Sequence, residues 1–444
     1  MSIKVAIIGA GPAGCMLARL LLPHPNIQVT VFESEPSINY RHQGGTLDLH
    51  EKTGLHAVRE AGLYDEFLTH ARFDGESFHL CDERLKTYIK MDPATENSSR
   101  GRPEIDRSAL RQMLAESLPK DMLRWGHKLH RVRDDSDSHR RTLEFADGTT
   151  ASGFDLIVGA EGAWSKVRSS CLSKTKPEYS GIGGFSLSIP DAETTAPECH
   201  ALVNRGSLFA YSTGQALLVQ QLGDGSIQVN AWKVRPEGWE KKMMTGAGDG
   251  DDYWTTDGPT VRESIKRDCQ AWAPELVELV EKATDDTRLS HRSLYHLPVG
   301  FRWDHRAGVT LLGDAAHVMC PFTGEGVNHA LEDAVALSHA IIAAAATAAV
   351  SPTDDMLAVM DRGLIKYEYE LAARSAVFTK RVHQVTRLMF FTEGAPGSVI
   401  ERFVLQNMKT MMPSALYMAA YPLTVASVYG YYFFHKRREK RIDG

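Results

Sequence analysis

Three separated segments hold the residues of this 444-residue chain whose types and spacing could do chemistry. The first, Val5-Ala6-Ile7-Ile8-Gly9-Ala10-Gly11-Pro12-Ala13-Gly14, is an apolar run interrupted by three glycines. Gly9 permits a tight turn, Gly11 lets a pyrophosphate approach the backbone, and Gly14 lets a helix pack closely on a strand. Ala13 belongs to the same turn, and the N–H groups of a helix beginning there are oriented toward an anion. Glu33 closes the next apolar run, where a carboxylate accepts hydrogen bonds from ribose hydroxyls. These residues specify a dinucleotide without choosing between NAD and FAD.

The second segment is Asp155-Leu156-Ile157-Val158-Gly159-Ala160-Glu161-Gly162, and the third runs from Gly313-Asp314-Ala315-Ala316-His317 into Pro321-Phe322-Thr323-Gly324-Glu325-Gly326-Val327-Asn328. Elements of regular period must position all three. Residues 1–33 read as strand, glycine turn, helix and strand, which is a βαβ unit. Asp106 stands where it would cap a helix that carries Leu110, Met113, Leu114 and Leu118 on one face. From about residue 179 to 234 the pattern becomes short alternating runs, as in an antiparallel sheet. There, period two sends Gln228, Asn230 and Trp232 to one side, a reasonable pocket wall or a face that meets water. A buried strand over residues 309–312 ends at Gly313-Asp314. A helix from Asn328 carries Ala330, Leu331, Ala334, Leu337 and Ile341, and Pro352 ends it. Residues 244–252, rich in Gly and Asp, read as a mobile surface loop.

Composition sets the class. With 43% hydrophobic residues the chain can bury a large core divided between two or three packed domains. A net charge of −6 lacks the basic footprint of nucleic-acid binding. The six cysteines include no Cys-x-x-Cys pair, so neither a zinc ribbon nor a dithiol centre is indicated, and no metal site is expected. The strand starting at Lys4 leaves no room for a cleavable leader, which suggests a reducing, cytoplasmic setting.

The three segments together resemble the single-component, class A FAD-dependent aromatic monooxygenases with the p-hydroxybenzoate hydroxylase fold. Within that group the closest similarity is to tetracycline-inactivating monooxygenases and fungal biosynthetic relatives. It is carried by residues 313–328, by Gly44-Gly45-Thr46-Leu47-Asp48-Leu49-His50, and by Glu104-Ile105-Asp106-Arg107 with Leu110-Arg111. The resemblance implies an α/β fold: a Rossmann-like FAD-binding domain in two parts (1–178 and 298–350), an inserted, mainly antiparallel substrate sheet (179–297), and C-terminal helices (351–444).

The resemblance also assigns cofactor roles. Gly9, Gly11, Ala13, Gly14 and Glu33 fall to the nucleotide, Arg41 to NADPH or the adenine side, Asp48 to the flavin, and Arg111 to the FAD phosphates or ribityl. Asp155 and Gly159 lie in a motif that serves both FAD and NADPH, in which Glu161 replaces the family's usual aspartate. Asp314 is assigned to the ribityl chain, while Pro321, Gly324, Glu325, Gly326, Val327 and Asn328 follow the isoalloxazine ring. Cys320 replaces a common proline and reads as a packing change. Arg107, His317 and His50 are candidates for proton transfer, each with a second role available in holding a loop or the cofactor. Gln228, Asn230 and Trp232 are candidates for substrate contact.

The implied reaction is NAD(P)H- and O2-dependent hydroxylation or epoxidation, through a flavin hydroperoxide, of a hydrophobic aromatic or prenylated natural product. A membrane-associated isoprenoid epoxidase is the nearest alternative, and a flavin-binding module without turnover is one of another class. The first alternative draws on residues 415–434, twenty residues without a charge, followed by Lys436, Arg437 and Arg438. Pro422, Gly430 and five tyrosines in that stretch suit a membrane surface at least as well as a span. A helix packed on the enzyme body is the other reading.

Overall fold

The computed structural model describes residues 2–40, 44–95, 98–99, 101–134, 141–240, 257–350, 356–411 and 414–439. Its central element is a five-stranded parallel sheet in the order Val309–Leu311, Leu156–Gly159, Ile3–Ile8, Ile27–Phe32, Leu123–Arg124. Val5, Ile7, Leu156 and Val158 are fully buried, as expected of strands covered on both faces. The helix Pro12–Leu21 packs against Gly326–Val350 and Arg107–Glu116. A small antiparallel sheet contributes Phe145, whose ring lies 5.0 Å from that of Phe32.

The second large sheet has seven strands in the order Ser290–His296, Glu178–Ile189, Ile227–Val234, Gln215–Gln221, Ser207–Ser212, Phe78–Asp82, Thr87–Met91. The inserted sheet expected over 179–297 therefore recruits two strands from the first 178 residues. Ser207–Ser212 joins Phe78–Asp82 in parallel. One face packs on the helices Gly258–Asp268 and Pro274–Glu281 through Leu187, Leu217, Val229 and Leu276. The other packs Leu80, Tyr211, Leu218 and Trp232 against Val382, Met389 and Phe390 of the long helix Met356–Phe391. The reading in which this face meets water is thereby corrected: the C-terminal helix covers it.

Asp106 takes the expected position before Arg107–Glu116 but does not cap it with its side chain. Its carboxylate instead accepts from the Gly223 N–H at 2.9 and 3.0 Å, tying the nucleotide domain to a turn of the second sheet. The helix expected from Asn328 begins at Gly326. The loop at 244–252 lies outside the described residues.

Near the C-terminus, Ser414–Glu439 is one helix containing Pro422. Tyr432 is buried and donates to the Tyr88 carbonyl at 3.0 Å, while Leu423 and Phe434 are 75% and 71% exposed. The packed-helix reading thus holds on one side of this element. Among the described residues, the helix long and apolar enough to cross a membrane by length and composition is Gly326–Thr347, and it lies in the core of the nucleotide domain.

Candidate flavin site

The carboxyl ends of the parallel strands lead into the glycine-bearing segments, and the space outside them is the candidate crevice of such a sheet. Gly9 adopts φ +109°, and a Cβ there would stand 2.5 Å from the Ala160 carbonyl oxygen. A Cβ at Gly14 would stand 2.1 Å from the Gly9 carbonyl oxygen, so both glycines are required by protein packing. Gly11 is different: nothing lies within 4 Å of its absent Cβ, and it precedes the helix whose first N–H groups lack intrahelical partners. Gly313, at φ +59°, brings the third segment against the same turn, since its Cβ would lie 3.5 Å from that of Ala13. Asp314 follows, exposed at the mouth of the crevice. Open space at Gly11, free helix N–H groups and an exposed carboxylate fit a pyrophosphate with an attached polyhydroxyl chain.

Glu33 braces this turn. Its Oε2 accepts from the Ala10 N–H at 2.7 Å, and its Oε1 accepts from Ser34 and from the Glu35 N–H, both at 2.9 Å. Buried Arg111 donates to the Ala10 carbonyl at 3.2 Å and to Glu35 at 2.7 Å. Glu33 and Arg111, assigned separately in the sequence, therefore meet at one turn, 3.9 Å apart, with Glu35 as a partner that only the fold reveals.

A second loop closes from the other side. The buried Asn328 accepts through Oδ1 from the His50 N–H at 2.8 Å and the Gly54 N–H at 3.2 Å, and donates through Nδ2 to the Asp48 carbonyl at 2.8 Å. This places Asp48 beside Gly324, whose Cβ would stand 3.0 Å from Asp48 Oδ1. The His50 ring contacts the Asp48 carboxylate at 2.9 Å, and the Arg107 N–H donates to the Gly45 carbonyl at 3.0 Å. Asp48, His50, Gly324 and Asn328 thus converge, with Arg107 at the neighbouring glycine pair. Arg41 lies outside the described residues.

Two expectations are corrected. Asp155 accepts from the Lys4 N–H at 2.8 Å. The strand it precedes pairs Leu156 with Val5 and Gly159 with Ile8, so Asp155 stands at the amino end of the sheet, a strand's length from the crevice. Gly159 and Ala160 are the residues of that segment that reach it. The longer Glu161 side chain folds back on its own loop to accept from the Val167 N–H at 2.8 Å. Burial raises its pKa, and its Oε2 is enclosed without a hydrogen-bond partner among the described residues.

His317 is also not a proton-transfer group facing substrate. Its ring is 2% exposed, contacts Asp333 Oδ2 at 2.5 Å and lies edge-on to Phe378 at 5.1 Å. Burial alone would lower its pKa, yet the Asp333 carboxylate holds it above the usual histidine value. Asp333 in turn is kept below its ordinary range, against burial, by His317 and Arg374. It accepts from Arg374 at 2.6 Å and from the Gly313 N–H at 3.0 Å. Asp333 and Arg374 escaped the sequence reading. Their signal was an acidic residue among the apolar helix positions Leu331, Ala334 and Leu337. Burial pushes the Cys320 thiol up to about 11, which agrees with its reading as packing.

Gln228, Asn230 and Trp232 do share a face, and it is turned toward both loops. The Trp232 and Phe322 rings meet edge-on at 6.3 Å. The Gln228 carboxamide lies under Gly44, where a Cβ would stand 2.7 Å from its Oε1, and its Nε2 donates to Ser186 at 2.5 Å. Asn230 donates to the Leu218 carbonyl at 3.3 Å.

A Rossmann-type sheet with a dinucleotide crevice, closed against a large antiparallel sheet that offers an apolar wall, defines a flavoprotein of the FAD-dependent monooxygenase class. Residues 2–354 match the model of the FAD binding domain family FAD_binding_3, and the chain belongs to that family. It is 30% identical to the monooxygenase penA of Penicillium thymicola, over 90% of this chain and 98% of that protein. It is also 30% identical to the monooxygenase asqM of Emericella nidulans, over 76% and 83% of the two chains. The fold matches Klebsiella pneumoniae HpxO complexed with FAD and uric acid, at TM-score 0.68 and 20% identity, covering 96% of this chain and 97% of that one. It also matches the tetracycline destructase Tet(51), at TM-score 0.64 and 18% identity, covering 92% and 95%. The protein is an FAD-dependent monooxygenase.

Proposed function

We propose that the chain is an NAD(P)H- and O2-dependent monooxygenase that hydroxylates or epoxidises a hydrophobic aromatic or prenylated natural product. The observation that carries this reading is the wall facing the flavin loops: Trp232, Leu218 and Phe322 with Phe390, interrupted by the row Ser186, Gln228 and Asn230. An apolar body fits the first group, and a few hydrogen-bonding groups on it fit the second. Bound FAD would supply electron transfer from the nicotinamide and oxygen activation. Gly9, Gly11, Gly14 and Asp314 would hold its nucleotide and ribityl parts. The backbone around residues 324–327 would stabilise negative charge on the ring. Asp48, His50 and Arg107 frame the loop beside it and are the candidates for handling a substrate proton. The closed packing of the sheet against Met356–Phe391 would exclude water.

Substrate-stimulated bleaching of the yellow holoenzyme by NADPH, with one oxygen atom added to a member of an aromatic and isoprenoid panel by mass spectrometry, tests this directly. Absence of oxygen addition across the panel would overturn it. Trp232→Ala should raise the substrate KM by roughly tenfold or more, since it removes a buried aromatic wall, while FAD content stays at that of the parent.

A second reading, membrane-associated epoxidation of an isoprenoid, is favoured by the C-terminal helix, where Tyr421, Leu423, Tyr429, Tyr431, Phe433 and Phe434 are all exposed. A tyrosine-rich apolar surface of this kind suits the interface of a bilayer. The zeaxanthin epoxidase of Oryza sativa is 28% identical over 76% of this chain, which spans 48% of that protein. Preference for isoprenoid over simple aromatic substrates in the same panel would select this reading.

A further inference from the structure

The long helix Met356–Phe391 begins just beyond the region shared with the family, residues 2–354, yet it runs antiparallel along the loop assigned to the flavin ring. Arg374 meets Asp333, Phe378 stacks on His329 at 3.7 Å and 11°, Arg381 pairs with Glu325, and Phe390 packs on Phe322 at 4.6 Å. Arg374, Phe378 and Arg381 recur at helix spacing and so share one face.

The pair of Arg381 with Glu325 is the contact that bears on the cofactor. Glu325 sits between Gly324 and Gly326, within the backbone turn that would face the ring, and its side chain is only 12% exposed. A carboxylate there opposes any negative charge placed on the flavin by reduction. Arg381 is the cation bonded to it, and the second oxygen has His329 Nε2 at 4.0 Å. The other amino group of Arg381 donates to Asn407 Oδ1 at 2.8 Å, on the following helix Ile400–Met411. The turn, the long helix and the next helix are thus joined at one guanidinium.

We propose that Arg381 is a positioning residue for the flavin: by pairing with Glu325 it fixes the turn at residues 321–326 and neutralises the carboxylate beside the ring, which sets how tightly FAD is held and how readily it is reduced. This rests on the flavin lying along residues 324–327.

The test uses the full chain, with FAD affinity measured on the deflavinated protein and the two-electron midpoint potential on the holoenzyme. Arg381→Met should weaken FAD binding by roughly tenfold, less than the full loss of one partner of a deeply buried ion pair because the effect on FAD is indirect, and should move the potential to a more negative value. Arg381→Lys should restore most of both. The double variant Arg381→Met with Glu325→Gln should return the potential toward that of the parent, because the uncompensated charge is gone. A parental potential in Arg381→Met, or a double variant as shifted as the single, would overturn the proposal, the second outcome by showing that packing rather than charge is responsible. Gly326→Val tests the underlying placement by itself, since nothing lies within 4 Å of an added Cβ there. Undiminished FAD affinity in that variant would move the ring elsewhere, whatever Arg381 shows.

Discussion

Gly11 and Gly14 stand three residues apart in one turn and are required for opposite reasons. Gly14 is required by the protein, because a methyl group would enter the Gly9 carbonyl. Gly11 meets no protein atom within 4 Å of an added Cβ, so a demand for glycine there would come from a ligand. Gly11→Ala should therefore leave the melting behaviour of the FAD-free chain within about 1 kcal/mol of the parent, while FAD affinity, read by flavin fluorescence, falls by an order of magnitude or more. Gly14→Ala should lower stability itself by about 1–3 kcal/mol through overpacking, visible in denaturant unfolding without any cofactor. Equal stability losses in the two variants would contradict the placement of the pyrophosphate over Gly11. Asp333 acts at the same scale by a different route: one carboxylate orients the Gly313 turn, the His317 ring and Arg374 together.

At the scale of the element, the long C-terminal helix is held to the edge of the parallel sheet by a histidine that meets carboxylates at both ring nitrogens. His305 contacts Glu368 at 2.8 Å and Asp361 at 2.9 Å, an arrangement that needs both nitrogens protonated. Burial opposes that charge, but Glu368 and Asp361 raise the pKa above 6.5. Burial also raises the pKa of Glu368 above 4.5, against the hydrogen bonds from His305 and Thr310. Both folded-state values lie above the unfolded ones, so both contributions are complete at low pH and decline as pH rises, Glu368 first and His305 once pH passes 6.5 toward its raised folded value. Urea unfolding should accordingly show stability falling as pH rises past 6.5. His305→Gln should flatten that slope and leave the buried Glu368 short of a partner, at a cost of about 1–3 kcal/mol. An unchanged slope in His305→Gln would remove this histidine from the coupling.

For the molecule as a whole, the parallel sheet has its own core and the seven-stranded sheet packs a core on each face, while the last helix presents a row of exposed apolar side chains. Six of its large hydrophobic side chains face outward, while Tyr432 is buried against the Tyr88 strand. On the second reading, in which this helix lies on a bilayer, the full chain should co-float with phosphatidylserine-containing vesicles, and a chain ending at Met411 should lose that flotation while keeping its FAD and its absorption spectrum. Retained flotation would show that the membrane-facing surface lies elsewhere.

The glycine turn, the strand end at Glu33 and the helix start at Gly313-Asp314 were legible in the sequence as local structure, because a turn, a strand end and a helix start need only neighbours in the chain to be recognised; that Glu33 braces the turn through the Ala10 N–H was not. Helix and strand periods likewise exposed the βαβ unit and the shared face of Gln228, Asn230 and Trp232. Which end of its strand Asp155 occupies was not legible, because an apolar run shows that a strand is buried without showing where its first residue falls relative to a distant turn. Nor was the enclosure of His317, which depends on Asp333 and on Phe378 from a helix about sixty residues away in the chain. The two strands lent by residues 78–91 and the reach of Arg381 to Glu325 are of the same kind. Residue order alone was enough to choose the class of cofactor. The packed fold was needed to separate the ionisable groups that face the crevice from those spent on holding the chain together, because a side chain's charge state and accessibility are set by the elements packed against it.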